Sequence, residues 1–288
     1  MLLICSCSKT ELPQLSDEME CASWIAQTPP CNGSTEYCDR RYDELSYPTT
    51  HNAMSNAADE WFGPNQNKNM KTQLLDGIRA FMIDTHYDSE SEEPVPSLCH
   101  GGCILGSIPL VEALGIFEAF LRCNPEEVLT LIVEAYVSVE DTKQAFDEAG
   151  LTPYLYAHDK TQAWPTLQKL IDENTRLIVL SDEGEASGWY MNVWDHAFET
   201  PFSASEPKQL TCAKNRGEDG NSLFILNHFL TTLTGSEILA ERVNYNPYFL
   251  ERAQKCEQEF MHIPNFVVVD FYSVGDVFEV TKSLNSQN

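Results

Sequence analysis

Tyr47-Pro48-Thr49-Thr50-His51-Asn52 is the first of three segments that together predict the architecture of this chain. The others are Asp76-Gly77-Ile78-Arg79-Ala80-Phe81-Met82-Ile83-Asp84 and Leu98-Cys99-His100-Gly101-Gly102. Each segment resembles a short apolar strand that ends in polar, ionisable side chains. This pattern is typical of parallel strands buried on both faces, because their chemistry is confined to the carboxyl edge of the sheet. Two histidines and an acid at three successive strand ends indicate acid–base catalysis, with a metal ion as a further option.

The composition predicts a globular protein and argues against a nucleic-acid partner. The chain has 288 residues, of which 42% are hydrophobic and 22% are charged. Its formal net charge is −26, from 18 Lys and Arg against 44 Asp and Glu. Nucleic-acid binding needs a cationic surface, and attraction to an anionic bilayer needs one as well. We therefore interpret the charge as a solvated acidic surface, against which a phosphodiester site must gather local positive charge.

The ten cysteines indicate an oxidising compartment. The sequence has no Cys-x-x-Cys pair and no Cys/His cluster with zinc spacing, so disulfides are expected in preference to metal ligation. The pairs that we expect are Cys31–Cys38, Cys99–Cys103 and Cys212–Cys256, although the sequence leaves the connectivity open.

Residues 1–30 are predicted to be a leader and a polar lead-in, followed by one domain at residues 31–288. Leu2-Leu3-Ile4-Cys5-Ser6-Cys7 is similar to the end of a signal-peptide apolar region that runs into a bacterial lipobox, with Cys7 as the lipidated residue. No charged region precedes it, so an ordinary apolar N-terminus is the alternative. We expect a protein that is secreted, or exported and anchored through Cys7.

Eight short apolar segments that alternate with helices or loops predict a single α/β domain. The predicted strands cover residues 45–50, 78–84, a segment ending at Cys99, 128–133, 151–156, 177–180, 223–226 and 266–269. Residues 183–220 are rich in aromatic and polar groups and read as a long loop that lines a site. The alternation favours a TIM-type β/α barrel with parallel strands. A doubly wound sheet is the alternative, but no glycine-rich nucleotide fingerprint follows the first strand.

Several short motifs, in this order and spacing, resemble the phosphatidylinositol-specific phospholipase C X-domain superfamily, and in particular its secreted plant, fungal and bacterial branch. The resemblance covers about residues 31 to 275. The motifs are Thr50-His51-Asn52, Gly77-Ile78-Arg79, Met82-Ile83-Asp84, Leu98-Cys99-His100, Val133-Glu134, Leu226-Asn227-His228-Phe229 and Pro264-Asn265-Phe266 through Asp270-Phe271-Tyr272. The resemblance implies a single, distorted TIM barrel with its site at the carboxyl ends of the strands.

The resemblance also implies two catalytic histidines. His51 matches the general base that activates an attacking hydroxyl, and His100 matches the general acid that protonates the leaving alkoxide. Imidazole can take either role near neutral pH. Arg79 matches a family arginine near the site, although its side chain could equally be structural. Asp270 ends the last strand, where a carboxylate could orient His51.

Two further residues are candidates for binding the substrate. His228 lies in one of the matching motifs and is a pocket candidate. Trp189 begins an aromatic-rich segment, residues 189–202, that could form a binding surface.

A divalent cation is expected from three side chains with oxygen ligands. Metal-independent bacterial members of the family carry arginine and lysine at the positions of Asp84 and Glu134, whereas calcium-dependent members carry acids there and an asparagine after the first histidine. Asn52, Asp84 and Glu134 follow the second pattern, so Ca²⁺ is the first expectation and Mg²⁺ the alternative. Met82 replaces a further family acid, and a thioether is a poor calcium ligand, so the need for metal stays open. Alternatively, the two acids pair with Arg79.

Three functions remain open from the sequence. The first is a phospholipase C-type phosphodiesterase that cleaves a phosphoinositide or a related phosphodiester. The second is a glycerophosphodiester phosphodiesterase or a sphingomyelinase D-like enzyme on the same barrel, and the third is a catalytically weak protein that binds a lipid or glycan headgroup. We expect a monomer that acts on a phospholipid or small phosphodiester, at a peripheral membrane surface in the lipid case. The headgroup is not specified.

Overall fold

The computed structural model of the chain contains ten strands in one sheet. It describes residues 20–89, 94–185 and 188–286. The strands are β1 (Tyr47–Thr50), β2 (Ala80–Asp88), β3 (Val95–Cys99), β4 (Ser107–Pro109), β5 (Leu129–Ala135), β6 (Leu177–Ser181), β7 (Tyr190–Asn192), β8 (Ala197–Glu199), β9 (Leu223–Asn227) and β10 (Phe266–Val269). Eight of these strands run parallel, in the spatial order β7-β6-β5-β2-β1-β10-β9-β8.

Helices and short turns connect the strands. The α-helices are α1 (Met70–Asp76), α2 (Leu110–Cys123), α3 (Val139–Glu148), α4 (Leu167–Asp172), α5 (Val193–His196), α6 (Glu237–Val243), α7 (Tyr248–Phe260) and α8 (Val277–Asn285). Single 3₁₀ turns occupy Thr35–Tyr37, Tyr42–Glu44, Cys103–Leu105, Thr152–Tyr154 and Pro207–Gln209, and Pro30–Gly33 is a tight turn with left-handed backbone at its centre. Within the described ranges, no helix combines the length and apolar character needed to cross a bilayer.

The strand order confirms the distorted TIM barrel. The first and last strands, β1 and β10, pair in parallel, so the sheet curls back on itself. Each following strand is the spatial neighbour of the previous parallel strand, as right-handed β/α connections require. Among the described strands, β7 and β8 form no pair with each other, and the four-residue helix α5 joins them instead. The barrel wall therefore has one seam, between β7 and β8.

Three predicted elements are wrong in detail. The segment ending at Cys99 is β3, which forms an antiparallel hairpin with β4 on the edge of β2 and is not a barrel strand. Residues 151–156 form a 3₁₀ turn, and only Leu155 makes an isolated bridge to the sheet. Pro153 cannot donate a ladder hydrogen bond, which disfavours a strand there. The predicted loop at 183–220 contains β7, α5 and β8. The two strands, β7 and β8, have three residues each and are too short to show a periodic pattern in the sequence.

The central strands are almost entirely hydrophobic because both of their faces are covered. Every residue of β6, β9 and β10 is buried, between the barrel interior on one side and the surrounding helices on the other. Polar residues come at the last position of β6 and β9 and directly after β10, so the chemistry of these strands lies at the carboxyl edge.

Four disulfides join all eight described cysteines. The expected pairs Cys31–Cys38, Cys99–Cys103 and Cys212–Cys256 are confirmed, and a fourth bond joins Cys21 to Cys123. That fourth bond ties part of the predicted lead-in to the barrel. Cys7, the candidate for lipidation, lies outside the described residues.

Arg79 lies at the amino end of β2, away from the edge that carries the histidines. Its side chain is buried, pairs with Glu127 at 2.6 Å, and donates hydrogen bonds to the carbonyls of Leu74 and Ile78. Asp84 is five residues further along the strand, roughly 16 Å away at the usual rise per residue. The structure thus contradicts a catalytic position for Arg79 and its pairing with Asp84 and Glu134, and agrees with the alternative that its side chain is structural. The residue type of Arg79 matches the family motif, but the residue lies at the amino end of β2 and not at the carboxyl end, where the site is.

We expect Arg79→Ala to lower the free energy of unfolding by about 3–5 kcal/mol, because it leaves the Glu127 carboxylate buried without its partner. Urea denaturation checks this. The matched control is Arg41→Ala, which breaks exposed pairs with Asp43 and Glu44 and should cost about 1 kcal/mol or less. Equal losses in the two variants would contradict a structural role for Arg79.

Candidate functional site

A cavity of about 330 Å³ opens at the carboxyl ends of the parallel strands. Sites of β/α barrels lie at this face. The lining residues are His51, Asn52, Met82, Asp84, Ile132, Val133, Glu134, Tyr136, Asp182, Val193, Trp194, Glu199, Phe202, Arg216, Ile225, Asn227 and Phe229. Four of the predicted site residues, His51, Asn52, Asp84 and Glu134, are thus brought together in one cavity.

His51 directly follows β1 and is held on three sides. Its Nδ1 lies 2.8 Å from the Asp270 carboxylate, and its ring stacks on Phe229 with the centroids 3.9 Å apart. The Gln66 side chain donates a hydrogen bond to the His51 carbonyl at 2.8 Å. No hydrogen bond to Nε2 is formed within the described residues, so this nitrogen remains for a ligand in the cavity.

Asp270 occupies the position predicted for a residue that orients His51. Its buried carboxylate also accepts a hydrogen bond from the Asn65 side chain at 3.1 Å. Burial lowers the pKa of His51, but the charge and hydrogen bond of Asp270, together with the charges of Asp84 and Glu134, outweigh burial and raise it. The surroundings of His51 therefore stabilise its imidazolium form relative to that of a free histidine.

His100 stands on a short, covalently closed loop. The Cys99–Cys103 disulfide spans it, and Gly101 has a φ of 72°, a conformation that glycine adopts without strain. Burial lowers the pKa of His100, and repulsion from the charge of His51 lowers it further. The two imidazoles thus influence each other through space, although His100 does not belong to the wall of the cavity itself.

The predicted cation ligands lie on one wall of the cavity. Asp84 and Glu134 are directly opposite each other in the register of β2 and β5, and Asp182 follows the adjacent β6. Burial, followed by repulsion from Glu134, raises the pKa of Asp84 to about 8. Within the described residues, the side chains of Asp84 and Asn52 make no hydrogen bond. The carboxylate oxygens of Asp84 and the amide oxygen of Asn52 are thus available to a ligand. Oxygen ligands of this kind suit a hard cation.

The described residues contain no group of three or more His, Cys, Asp or Glu side chains arranged as a ready-made metal cluster. A cation would therefore need the Asn52 amide oxygen or water to complete its coordination. Asn52 has a φ of 45°, and asparagine tolerates this left-handed conformation better than most residues.

His228 and Trp189 do not lie in the cavity. His228 is fully buried, with Nε2 2.9 Å from the Val243 carbonyl and Nδ1 3.0 Å from Arg252. Trp189 packs against Phe146, with ring centroids 4.8 Å apart, on the helical side of the sheet. The structure thus contradicts the predicted substrate-binding positions of both residues, because it uses their side chains for packing.

Several lining residues escape sequence reasoning. Tyr136 follows Glu134 by two residues and donates a hydrogen bond to it, so the strand periodicity could have indicated it. Arg216 gives no local signal, because it belongs to the long segment between β8 and β9 and reaches the cavity only through tertiary folding. Glu199 ends β8, which is too short to be recognised.

The PI-PLC X 1 family model matches residues 37–285. This chain belongs to the PI-PLC X family. The PI-PLC X domain-containing protein 1 of Arthroderma benhamiae is 30% identical over 280 residues, which cover 88% of this chain and 89% of that relative. A PI-PLC X domain-containing protein of Arabidopsis thaliana is 28% identical over 272 residues, covering 85% of this chain and 62% of the relative.

An uncharacterized secreted protein of the same fungus is 27% identical over 291 residues, covering 90% of this chain and 64% of the relative. This chain thus spans less than two thirds of that protein and of the Arabidopsis relative. A secreted relative and four disulfides are consistent with an oxidising compartment for this PI-PLC X protein.

Solved structures confirm the fold. A mutant phosphatidylinositol-specific phospholipase C from Staphylococcus aureus superimposes with a TM-score of 0.56 at 16% identity, over 86% of this chain and 93% of that chain. A pentafluoro-Phe form of the same enzyme gives 0.54 at 17% identity, over 85% and 93%. Family and fold together support a phosphodiesterase-type enzyme.

The His51–Asp270 pair predicts a measurable titration shift. The Asp270 carboxylate favours the imidazolium, so its replacement by a neutral amide removes the main influence that opposes burial. We expect Asp270→Asn to lower the pKa of His51, as followed by NMR of the ring protons across pH. Asp195→Asn, which removes an acid paired with Lys160 on the surface, should leave that titration unchanged. An unaltered His51 pKa in Asp270→Asn would contradict the assignment.

Proposed function

We propose that this protein is a phospholipase C-type phosphodiesterase that cleaves a phosphoinositide or a related phosphodiester. The observation that carries the proposal is the His51–Asp270 hydrogen bond of 2.8 Å at the edge of the cavity. This hydrogen bond holds Nδ1 of His51. Nε2 of the same ring is left free to contact a substrate hydroxyl in the cavity. The charge of His51 contributes to lowering the pKa of His100, which supports His100 as the second proton-transfer group.

In this proposal His51 accepts the proton of the attacking hydroxyl as its oxygen bonds to phosphorus. His100 gives a proton to the alkoxide as its bond to phosphorus breaks. With an inositol headgroup, the attacking group is the adjacent ring hydroxyl, and the products are a cyclic phosphate and diacylglycerol. The reaction needs neutral His51 and protonated His100, whereas the surroundings raise the pKa of His51 and lower that of His100.

A bound divalent cation would offset part of this mismatch. We propose Asn52, Asp84 and Glu134 as its ligands, with Ca²⁺ as the first candidate and Mg²⁺ as the second. When bound, such an ion balances negative charge on the phosphoryl group and acidifies the attacking hydroxyl. Neutralising Asp84 and Glu134 also removes two of the influences that raise the pKa of His51, which favours the neutral base.

The experiment is hydrolysis of phosphodiesters with inositol, glycerol and choline headgroups, each with Ca²⁺, Mg²⁺ or chelator. We expect cation-dependent release of cyclic inositol phosphate. His51→Ala and His100→Ala should each lose about 10²- to 10⁴-fold in kcat, since each removes a proton-transfer group. The control is His262→Ala, because His262 bonds to the carbonyls of Ser222 and Ile263 outside the cavity.

Each alternative has its own outcome in this panel. Turnover that survives chelation would reject the cation and leave the histidine pair. Preference for glycerol or choline substrates would favour a glycerophosphodiesterase or a sphingomyelinase D-like enzyme. Binding without turnover of any substrate would favour a headgroup-binding protein.

An exposed apolar surface supports a lipid substrate over a soluble one. Phe62, Ile104 and Leu233, here called the apolar rim, are 71%, 81% and 102% exposed. They stand on loops that follow β1, β3 and β9, at the face of the barrel that carries the cavity. Phe62 donates a backbone hydrogen bond to Leu105, and Gly235 donates one to Gly63, so the three loops are joined.

We propose that the apolar rim inserts into the surface of a zwitterionic bilayer. Large exposed apolar side chains that cluster mark interaction surfaces, and Ile, Leu and Phe gain free energy on leaving water. The net charge of −26 disfavours an anionic membrane, so the apolar contact must supply the attraction. Because four disulfides are consistent with an oxidising compartment, the protein would work outside the cell, whether or not Cys7 carries a lipid.

Ile104→Asp and Leu233→Asp should weaken binding to phosphatidylcholine vesicles by about tenfold or more, because each removes one inserted side chain. Vesicle co-sedimentation measures this. Met261→Asp is the matched control: Met261 is 92% exposed but follows α7, next to the amino end of β10. Unchanged binding in the rim variants, or an equal loss in Met261→Asp, would reject the rim as the membrane contact.

A further inference from the structure

Arg216 is the only lysine or arginine among the residues that line the cavity in the described part of the chain. Four carboxylates also line the cavity, from Asp84, Glu134, Asp182 and Glu199. A phosphodiester carries one negative charge, so the cavity would repel it without a fixed positive group. Arg216 is about half exposed and stands where the cavity meets solvent.

The guanidinium of Arg216 is held in place from three directions. Its Nε donates to the carboxylate of Glu199, a residue that is only 2% exposed. The rings of Trp194 and Phe202 lie 4.3 Å and 4.8 Å from its central carbon. The terminal nitrogens make no hydrogen bond within the described residues, so the outer edge of the guanidinium is unoccupied.

The backbone around Arg216 is equally constrained. Glu199 and Arg216 are joined by a backbone hydrogen bond of 3.0 Å, and Asn215 donates one to the Glu199 carbonyl at 2.8 Å. Gly217 has a φ of 81°, and a β-carbon there would lie 2.1 Å from the Ala197 carbonyl oxygen. Only glycine allows this approach, which seats Arg216 against β8.

Glu199 orients Arg216 through Nε and leaves the terminal nitrogens of the guanidinium able to bind an anion. The Glu199 carboxylate also accepts hydrogen bonds from the side chains of Asn215 and Asn227, so its negative charge is shared among three donors. The free edge of a guanidinium matches two oxygens of a phosphoryl group in a bidentate arrangement.

We propose that Arg216 anchors the non-bridging oxygens of the substrate's phosphodiester, at a site that Glu199, Trp194 and Phe202 preorganise. This inference rests on the proposed function, because it assigns the anion contact of the same cavity. It does not depend on the identity of the alcohol that leaves or attacks.

The same arrangement selects against one kind of headgroup. An additional phosphate would meet the four carboxylates of the cavity. The cavity thus suits a diester that carries no negative charge beyond that of its own phosphoryl group.

The test uses dibutyl phosphate, a monoanionic diester with no hydroxyl placed for internal attack, titrated into the full chain by calorimetry. Arg216→Ala should weaken binding about 10- to 100-fold, since charge-assisted hydrogen bonds to phosphate are lost. Arg216→Lys should recover part of the affinity, because an ammonium keeps the charge but not the bidentate edge. Arg41→Ala, far from the cavity, should bind as the parent protein does.

Turnover separates this inference from the proposed function. If the parent protein binds the probe through Arg216 but cleaves no diester, the anchoring role stands and the phospholipase assignment fails. If a diester is cleaved with the same KM and kcat in Arg216→Ala, the anchoring role is overturned and the enzyme remains. Equal probe affinity of the parent protein and Arg216→Ala would also overturn it.

Discussion

The parallel pairing of the first and last strands is the constraint on which the site depends. In this register Thr50 is the partner of Val269, so the next residues, His51 and Asp270, are placed side by side although 219 positions separate them. The His51 amide extends the ladder by donating to the Val269 carbonyl at 3.0 Å. A slip of one residue in β1 would turn its side chains to the opposite face of the sheet and separate His51 from Asp270. The pairing of β1 with β10 therefore also assembles the His51–Asp270 pair.

Electrostatics sets a second constraint, because the cavity, like the whole chain, has more acidic than basic side chains. Four carboxylates line it, and burial makes the charge of Asp84 costly enough to raise its pKa to about 8. A site of this kind can accept an anion only after cations have been gathered into it. Arg216 and the proposed divalent ion supply such charge from opposite walls, at β8 and at β2 with β5.

Sequence patterns predict the parts of the site that sit directly at strand ends. His51, Asn52, Asp84, Glu134 and Asp270 are recognisable because each lies at or directly after the end of a short predicted strand and within a motif that resembles the family. Apolar runs and the burial of both strand faces are local properties of the sequence. The alternation of such runs with other segments predicts the barrel.

Other parts of the structure depend on contacts between distant segments, which local patterns do not encode. Arg79 precedes an apolar run as clearly as Asp84 ends one, yet its partner Glu127 could be identified only in three dimensions. His228 follows β9 directly, but Arg252 and Val243 occupy both of its ring nitrogens. Arg216 belongs to a loop whose path is set by Gly217 and by the Cys212–Cys256 bond.

The seam between β7 and β8 has a consequence for the behaviour of the protein in solution. An interrupted barrel exposes two edge strands, and free backbone donors and acceptors on such edges can template pairing with another molecule. Here each edge strand is only three residues long, and helix α5 spans the seam between them. Little unpaired ladder is therefore left to recruit a foreign strand. The barrel wall is therefore open between β7 and β8, but its edge strands are too short to promote aggregation as longer edge strands would.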